Sequence, residues 1–238
     1  MSTLKDILAA IEAKTQPAQL WALMTGYFRT RGFDKISYHH TSGTAAAAQP
    51  VTVAAEGFSD SWVCHYIKQK LYLVDPITDL AQRATQPFFW RDIPHMVDLT
   101  PEQEGYLQQM DQARLGNGLA FQVYGPGLRN AYVGLGFAPD MSPPEAPDLF
   151  EMQFVAQAAH IRYCTLVPAR VQRTALSPRE RDVLRWIARG KSNSVIADIL
   201  GLSPHTIDTL MRRVFRKLDV SDRTAAAIEG IGSGLILP

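Results

Sequence analysis

The run from Leu176 to Leu218, LSPRERDVLRWIARGKSNSVIADILGLSPHTIDTLMRRVFRKL, restricts the fold more tightly than any other stretch of the chain. Ser177, Pro178 and Glu180 make an S-x-x-E capping box with proline at the first helical position, where a missing N–H costs nothing. Gly190 ends that helix and Ser192 is placed to cap the next. Gly201 closes the second helix after Ile196, Ile199 and Leu200, and Ser203 with Pro204 opens a third. So little chain between the last two helices permits only a tight turn. The pattern is a helix-turn-helix.

The third helix has two faces. Ile207, Met211, Val214 and Leu218 recur at steps of three and four, with Leu210 and Phe215 beside them, and bury one side. His205, Asp208, Thr209, Arg212, Arg213 and Arg216 fall elsewhere. A short helix whose free face carries arginines suits a DNA major groove, because guanidinium forks pair with phosphates or with guanine edges. A solvated basic face on an ordinary three-helix bundle has the same pattern, and the residues alone leave both readings open.

The chain's 238 residues make two ordinary domains, and 46% hydrophobic content with a formal charge of +1 describes a globular protein with ample core. Charge is unevenly spread. From Ala169 onward there are 12 Lys and Arg against 7 Asp and Glu, and before it 12 against 16. The basic part is the helix-turn-helix part. No apolar run is long enough for a membrane span, and Lys5, Asp6, Glu12 and Lys14 interrupt the segment where a signal peptide has its apolar core, so a cytoplasmic protein is expected. Cys64 and Cys164 sit in apolar helical patterns without CxxC or histidine spacing, which predicts reduced, packed thiols and neither a disulfide nor a metal site.

Before Pro168, helical and strand-like stretches alternate. Ser2 is placed to cap a helix through Leu4, Ile7, Leu8 and Ile11, and residues 16–31 continue helically. Residues 33–40 and 51–55 read as strands flanking an Ala-rich loop, 41–50. A helix from Ser59 or Asp60 carries Trp62, Tyr66, Ile67 and Leu71 to a break at Asp75-Pro76. A short helix is expected over 78–85, an extended aromatic segment from Pro87 to Trp90, and a helix over 101–115 capped by Thr100. A hairpin of residues 119–124 and 131–137, a surface loop to Pro147 and a long helix from Asp148 to Leu166 complete the series. The fold class expected is α+β. Residues 1–167 form an α/β/α sandwich, a sheet covered by helices with a ligand pocket; 168–175 are a linker; 176–238 are an all-α helix-turn-helix domain of four helices.

Trp62, Tyr66, Tyr72, Phe88, Phe89 and Trp90 gather around one isolated acid, Asp75. Large apolar side chains with a few placed polar groups are how a pocket holds a small amphiphile. A plain aromatic core, with Asp75 as a turn residue accepting local backbone bonds, has the same composition.

These residues resemble a known family. The C-terminal segment is similar to the LuxR-type helix-turn-helix through Leu176, Ser177, Arg179-Glu180, Leu184, Trp186, Gly190-Lys191-Ser192, Ile196-Ala197, Leu200, Ser203, Thr206-Ile207 and Lys217-Leu218. The N-terminal part resembles the autoinducer-binding domain of the same quorum-sensing regulators, in which two tryptophans, a tyrosine, an Asp-Pro and a glycine recur. Trp62, Tyr66, Asp75, Pro76, Trp90 and Gly118 stand at the matching spacings. The resemblance implies no cofactor, a small-molecule autoinducer that is an N-acyl-homoserine lactone, double-stranded DNA as a partner, and a homodimer. It further implies that Asp75 accepts the ligand's amide N–H, Tyr66 donates to the amide carbonyl and Trp62 to the lactone, while Trp90, Phe89 and Phe58 close apolar walls and Gly118 allows close approach. The implied DNA-facing set is Lys191, Ser203, His205, Thr206, Asp208, Thr209, Arg212, Arg213 and Arg216.

The sequence departs from the family at several points. The strand Tyr132-Val-Gly134-Leu-Gly136 has no hydroxyl at its central positions, where many members carry Ser or Thr, and its glycines leave room for a long or substituted acyl chain. Val195 replaces the usual acid at the start of the second helix, Leu210 a common histidine, and Asp208 stands where a base-reading polar or basic residue is frequent. An acid facing DNA repels phosphate but accepts a bond from cytosine N4, which gives Asp208 to sequence reading and the cations to positioning. Ligand-linked dimerisation then predicts a palindromic operator with half-sites about one turn apart. The helix over 148–166, widened by Phe150, Phe154 and Ile161, and the last helix through Ala225, Ile228 and Ile231 are the candidate dimer surfaces.

No enzyme is expected. His39, His40 and His65 lack an accompanying nucleophile, phosphate loop or metal spacing, and the first 120 residues show no parallel βα series for a receiver domain. The alternative is a regulator of the same type that senses a different small molecule or acts without ligand.

Overall fold

The computed structural model describes residues 3–40, 52–137, 142, 144–167 and 175–237. They form two compact units, one built on a sheet and the helices that cover it, the other on the last four helices.

The sheet is antiparallel with order β2-β1-β5-β4-β3, from β1 (Phe33–His40), β2 (Thr52–Glu56), β3 (Phe88–Phe89), β4 (Gly118–Val123) and β5 (Ala131–Phe137). Helices α1 (Leu4–Glu12), α2 (Pro17–Arg29) and α7 (Ala146–Leu166) pack one face through Ile7, Ile11, Leu20, Phe28, Met152 and Val155. Helices α3 (Asp60–Lys68), α4 (Pro76–Ala81), α5 (Ile93–Met96) and α6 (Pro101–Gln112) belong to a second cluster with Tyr66, Ile77, Ile93, Tyr106 and Met110. Strand alternation separates the clusters. On β1, Phe33 and Ile36 belong to the first core; on β4 and β5, Leu119, Phe121, Val133 and Leu135 do, whereas Ala120 and Tyr132 join the second. Every residue of β4 and β5 is buried, as a sheet covered on both sides requires.

The α/β/α sandwich is therefore present, and the differences from expectation lie at element ends. Thr3 caps α1 in a capping box with Asp6, while Ser2 lies outside the described residues. The helix expected to run to Asp75 stops at Lys68, and Lys70 is left-handed (φ 53) before a 3-10 turn at Leu71–Leu73. Asp75 and Pro76 begin a helix instead of breaking one: an N-cap acid followed by proline at the first helical position is a start signal. The expected helix over 78–85 is this α4, shifted toward the N-terminus. Cys64 is exposed on α3, correcting the expectation of a packed thiol, and Cys164 is buried; neither is disulfide-bonded. The loop expected over 41–50, residues 139–141 and 143 of the expected loop to Pro147, and the linker residues 168–174 lie outside the described residues, and α7 begins at Ala146, inside that expected loop.

The second unit holds α8 (Pro178–Ala188), α9 (Asn193–Leu200), α10 (Pro204–Leu218) and α11 (Arg223–Gly232), the four helices expected. Ser177 and Glu180 form the capping box of α8, Ser192 caps α9 and Ser203 caps α10. Gly201 adopts φ 63 at the end of α9, a conformation that opens the tight turn and favours glycine. Val183, Ile187, Ile196, Ile207 and Leu210 close one cluster, and Leu184, Val214, Ala226 and Ile236 another. Between them Glu180, 2% exposed, accepts from Lys217 Nζ at 2.7 Å and from the Ser177 N–H at 2.7 Å. Burial raises the Glu180 carboxyl, and these donors together more than reverse it, so the group is held below its usual range.

Candidate ligand pocket and DNA-facing helix

Asp75 sits in the second cluster at 4% exposure. As the N-cap of α4 it accepts the Ile77 N–H on Oδ1 at 2.8 Å. Its Oδ2 accepts the Tyr66 hydroxyl at 2.9 Å and the Tyr106 hydroxyl at 3.2 Å. Asp75 thus both caps the turn and faces an aromatic cluster. Burial pushes its carboxyl up to about 6, opposed by the bonds from Tyr66, the Ile77 N–H, Tyr106 and the Thr78 N–H. The Tyr66 hydroxyl is held well above its ordinary range by burial and then by the Asp75 charge.

A cavity of about 50 Å³ opens beside this carboxylate, with Trp62, Tyr66, Trp90, Tyr106 and Tyr132 on its walls. Drug-sized ligands need roughly 300–1,000 Å³, so the aromatic walls must part for an amphiphile to enter. Phe58 and Trp62 are only partly buried against the cluster, whereas Trp90 is buried, with its indole N–H toward the Tyr132 hydroxyl. Gly118 lies under the Trp90 indole, with a Cβ there falling 2.5–2.6 Å from three ring atoms. Gly118 is glycine because the ring lies where a side chain would be.

One expected wall residue is elsewhere. Phe89 packs with the first core, its ring 6.0 Å from that of Phe137, because neighbours on a strand point to opposite faces; Phe88 belongs to the Asp75 cluster. The room expected at Gly134 is also filled. A Cβ there would lie 2.6 Å from Ser37 Oγ and closer still to the Tyr132 hydroxyl. Hydroxyls missing from residue 134 are supplied by its neighbours. Ser37, His39, Tyr106 and Tyr132 line the cavity although none of them was among the ligand-facing residues expected from sequence. A larger apolar cavity, about 350 Å³, lies on the opposite face of the sheet against Leu20, Trp21, Met24, Val133 and Ala156, and no carboxylate lines it.

In the other unit, α10 turns Ile207, Leu210 and Val214 inward and leaves His205, Asp208, Arg212, Arg213 and Arg216 exposed, with Thr206 and Thr209 half-buried. Lys191 and Ser203 are exposed as well. Ser203 Oγ caps α10 by accepting the Thr206 N–H at 3.1 Å. Asp208 Oδ1 accepts from Asn193 Nδ2 at 2.6 Å, which ties the middle of α10 to the start of α9 and partly occupies the carboxylate. Asn193 was not among the residues singled out from sequence.

Residues 16–163 match the family model of the autoinducer binding domain, and residues 174–229 match that of the luxR family of bacterial regulatory proteins. The chain belongs to the LuxR family. Among curated relatives, the quorum sensing-dependent regulator RpaR of Rhodopseudomonas palustris is 30% identical over 191 residues, covering 80% of this chain and 77% of RpaR. The transcriptional activator AhyR of Aeromonas hydrophila is 30% identical over 198 residues, covering 80% and 75%. The crystal structure of Escherichia coli SdiA superposes with a TM-score of 0.77 at 19% identity over 99% of this chain and 98% of that one, a likeness of fold. This LuxR-family chain is an autoinducer-binding transcriptional regulator and not an enzyme. No helix among the described residues is long and apolar enough to cross a membrane.

Proposed function

We propose that this regulator binds an N-acyl-homoserine lactone beside Asp75 and binds operator DNA as a dimer through α10. The observation that carries the ligand reading is the Asp75 carboxylate itself, a buried acceptor held in place by Tyr66, Tyr106 and the start of α4 on the wall of an aromatic-lined cavity. Trp62 donates to the lactone carbonyl. The proton of Tyr66 is engaged on Asp75, and the indole N–H of Trp90, toward the Tyr132 hydroxyl, is the other buried donor at the cavity wall. Tyr66→Phe and Trp90→Phe variants separate these two as donor to the amide carbonyl. Phe58 and Gly118 act on the wall, the latter through Trp90.

On the DNA side Arg212, Arg213 and Arg216, with Lys191 and His205, hold phosphates, and Thr206, Asp208 and Thr209 face base edges; Ser203 serves through its cap. Exposed Phe150, Phe154 and Ile161 on α7, and Ile228 on α11, are the apolar surface offered to a second copy. Residues 1–167 and 176–238 act as the ligand-binding and DNA-binding domains, joined by 168–175. Cytoplasmic residence follows from this role.

The test is thermal melting of the full chain with a panel of acyl-homoserine lactones, with an arm of octanoyl-rac-glycerol, the molecule that SdiA holds in one structure. At a hundredfold excess over Kd, a lactone adds about 2.7 kcal/mol to stability, and Asp75→Asn loses most of that gain. A rise with the acylglycerol alone identifies a different ligand class. No rise with either supports the alternative, a regulator that acts without ligand, which the small size of the cavity favours.

A further inference from the structure

We infer that a row of side chains on the ligand face of the sheet, His39, Tyr132 and Gln122, is a polar subsite that receives an oxygen function, a hydroxyl or keto group, carried on the ligand's acyl arm. The inference rests on the lactone reading of the Asp75 pocket. Strand register sets the row: His39 on β1 opposes Tyr132 on β5, which opposes Gln122 on β4. The three are 8%, 6% and 6% exposed. Two end in polar atoms with no hydrogen-bond partner among the described residues, His39 Nδ1 and Gln122 Oε1.

Together with Tyr72, Thr78 and Gln82 the row lines a cavity of about 70 Å³, and His39 and Tyr132 also line the Asp75 cavity. The two cavities share a wall. The His39 ring stands 4.9 Å from that of Tyr132 and 5.8 Å from that of Tyr66, whose hydroxyl is bound to Asp75. The subsite therefore lies close to the ligand's amide, and not at the far end of a long acyl chain. Burial holds the His39 imidazole neutral, pushed down to about 4, so it offers one N–H and one lone pair without a charge. Buried polar side chains are otherwise hydrogen-bonded. A hydrocarbon arm would leave both atoms unpaired, whereas a hydroxyl pairs with either and a keto oxygen with an imidazole N–H at Nδ1.

The test is calorimetric titration of the full chain with N-octanoyl-, N-(3-oxooctanoyl)- and N-(3-hydroxyoctanoyl)-homoserine lactone. Wild type should prefer an oxygenated compound over the plain one by about tenfold, the worth of one buried hydrogen bond. His39→Phe should bring the ratio near unity for both oxygenated compounds, and Gln122→Met should lower the ratio for the hydroxy compound. Should His39→Phe fail to fold, His39→Asn, which keeps a polar atom near the Nδ1 position, should retain the preference, and His39→Gln, which moves it toward Nε2, should lose it. Equal affinities in wild type, or a preference that no His39 variant alters, would mean that the small cavity holds only water and would overturn the subsite. Absence of binding by all three lactones would overturn the ligand reading together with it.

Discussion

Replacing Gly118 by alanine puts a methyl group against Trp90, one wall of the Asp75 cavity. The new Cβ would sit 2.5 Å from Trp90 Cε2 and 2.6 Å from Cδ2 and Cε3. That is about 1 Å inside ordinary carbon–carbon contact. Gly118 is fixed by its pairing with Gly136 on β5, in a fully buried strand, so the indole must move and not the backbone. Overpacking of this kind costs about 1–3 kcal/mol. At about 2–4 °C per kcal/mol for a unit of this size, the melting temperature should fall by about 2–12 °C. The displaced ring is driven toward the cavity it walls, so the stabilisation by a bound lactone should shrink too. Gly105→Ala is the control: a Cβ there meets nothing within 4 Å, and alanine in the interior of α6 should stabilise slightly. Calorimetric melting of both variants with and without lactone reads the outcome. A Gly118→Ala protein as stable as wild type, with its ligand shift intact, would refute the placement of Trp90 against residue 118.

Other consequences are open to measurement. Asp75 is raised to about 6 from 3.8, so the folded state holds a proton that the unfolded chain has released between those values. Its contribution is fully present below the unfolded value and is lost as pH rises through about 6, a change of roughly 3 kcal/mol that Asp75→Asn should flatten in denaturation curves of unliganded protein between pH 4 and 7. Because an amide N–H favours the ionised carboxylate, lactone affinity should run the other way, weakening as pH falls below about 6. Lys217→Met leaves Glu180 as a buried charge without its cation, and should cost about 2–4 kcal/mol by denaturant unfolding, somewhat less than for a fully buried pair because the Lys217 side chain is a quarter exposed. Arg212→Ala should weaken DNA binding and reduce the slope of log affinity against log salt by about one phosphate contact; an unchanged slope would remove Arg212 from the interface.

The helix-turn-helix was almost wholly legible, because its signals are local. Ser177, Ser192 and Ser203 each cap the helix they precede, and Gly201 ends the one before it. The sandwich was legible from alternation in 33–40 and 131–137, although Asp75-Pro76 was read as a stop when it is a start. The pocket was half legible. Trp62, Tyr66, Asp75 and Trp90 come together, but Phe89 faces the other core, a difference that one residue of strand phase decides in a strand two residues long. Ser37, His39 and Tyr132 reach the pocket only through the register of β1 against β5, a pairing across about a hundred residues that no local pattern encodes. Alternation along 33–40 does place Ser37 and His39 on one face, which was the available signal. The Lys217–Glu180 pair and the Asn193–Asp208 bond likewise arise from helix packing and not from spacing.

The most direct measurement is a calorimetric titration of an N-acyl-homoserine lactone into the full chain at pH 7.5, run beside Asp75→Asn. The wild type should bind one molecule per chain. The variant should bind about 10- to 150-fold more weakly, the loss of a hydrogen bond to a charged group of about 1.5–3 kcal/mol. Saturable binding of equal strength in both proteins would contradict the assignment of Asp75 as the acceptor around which the pocket is built.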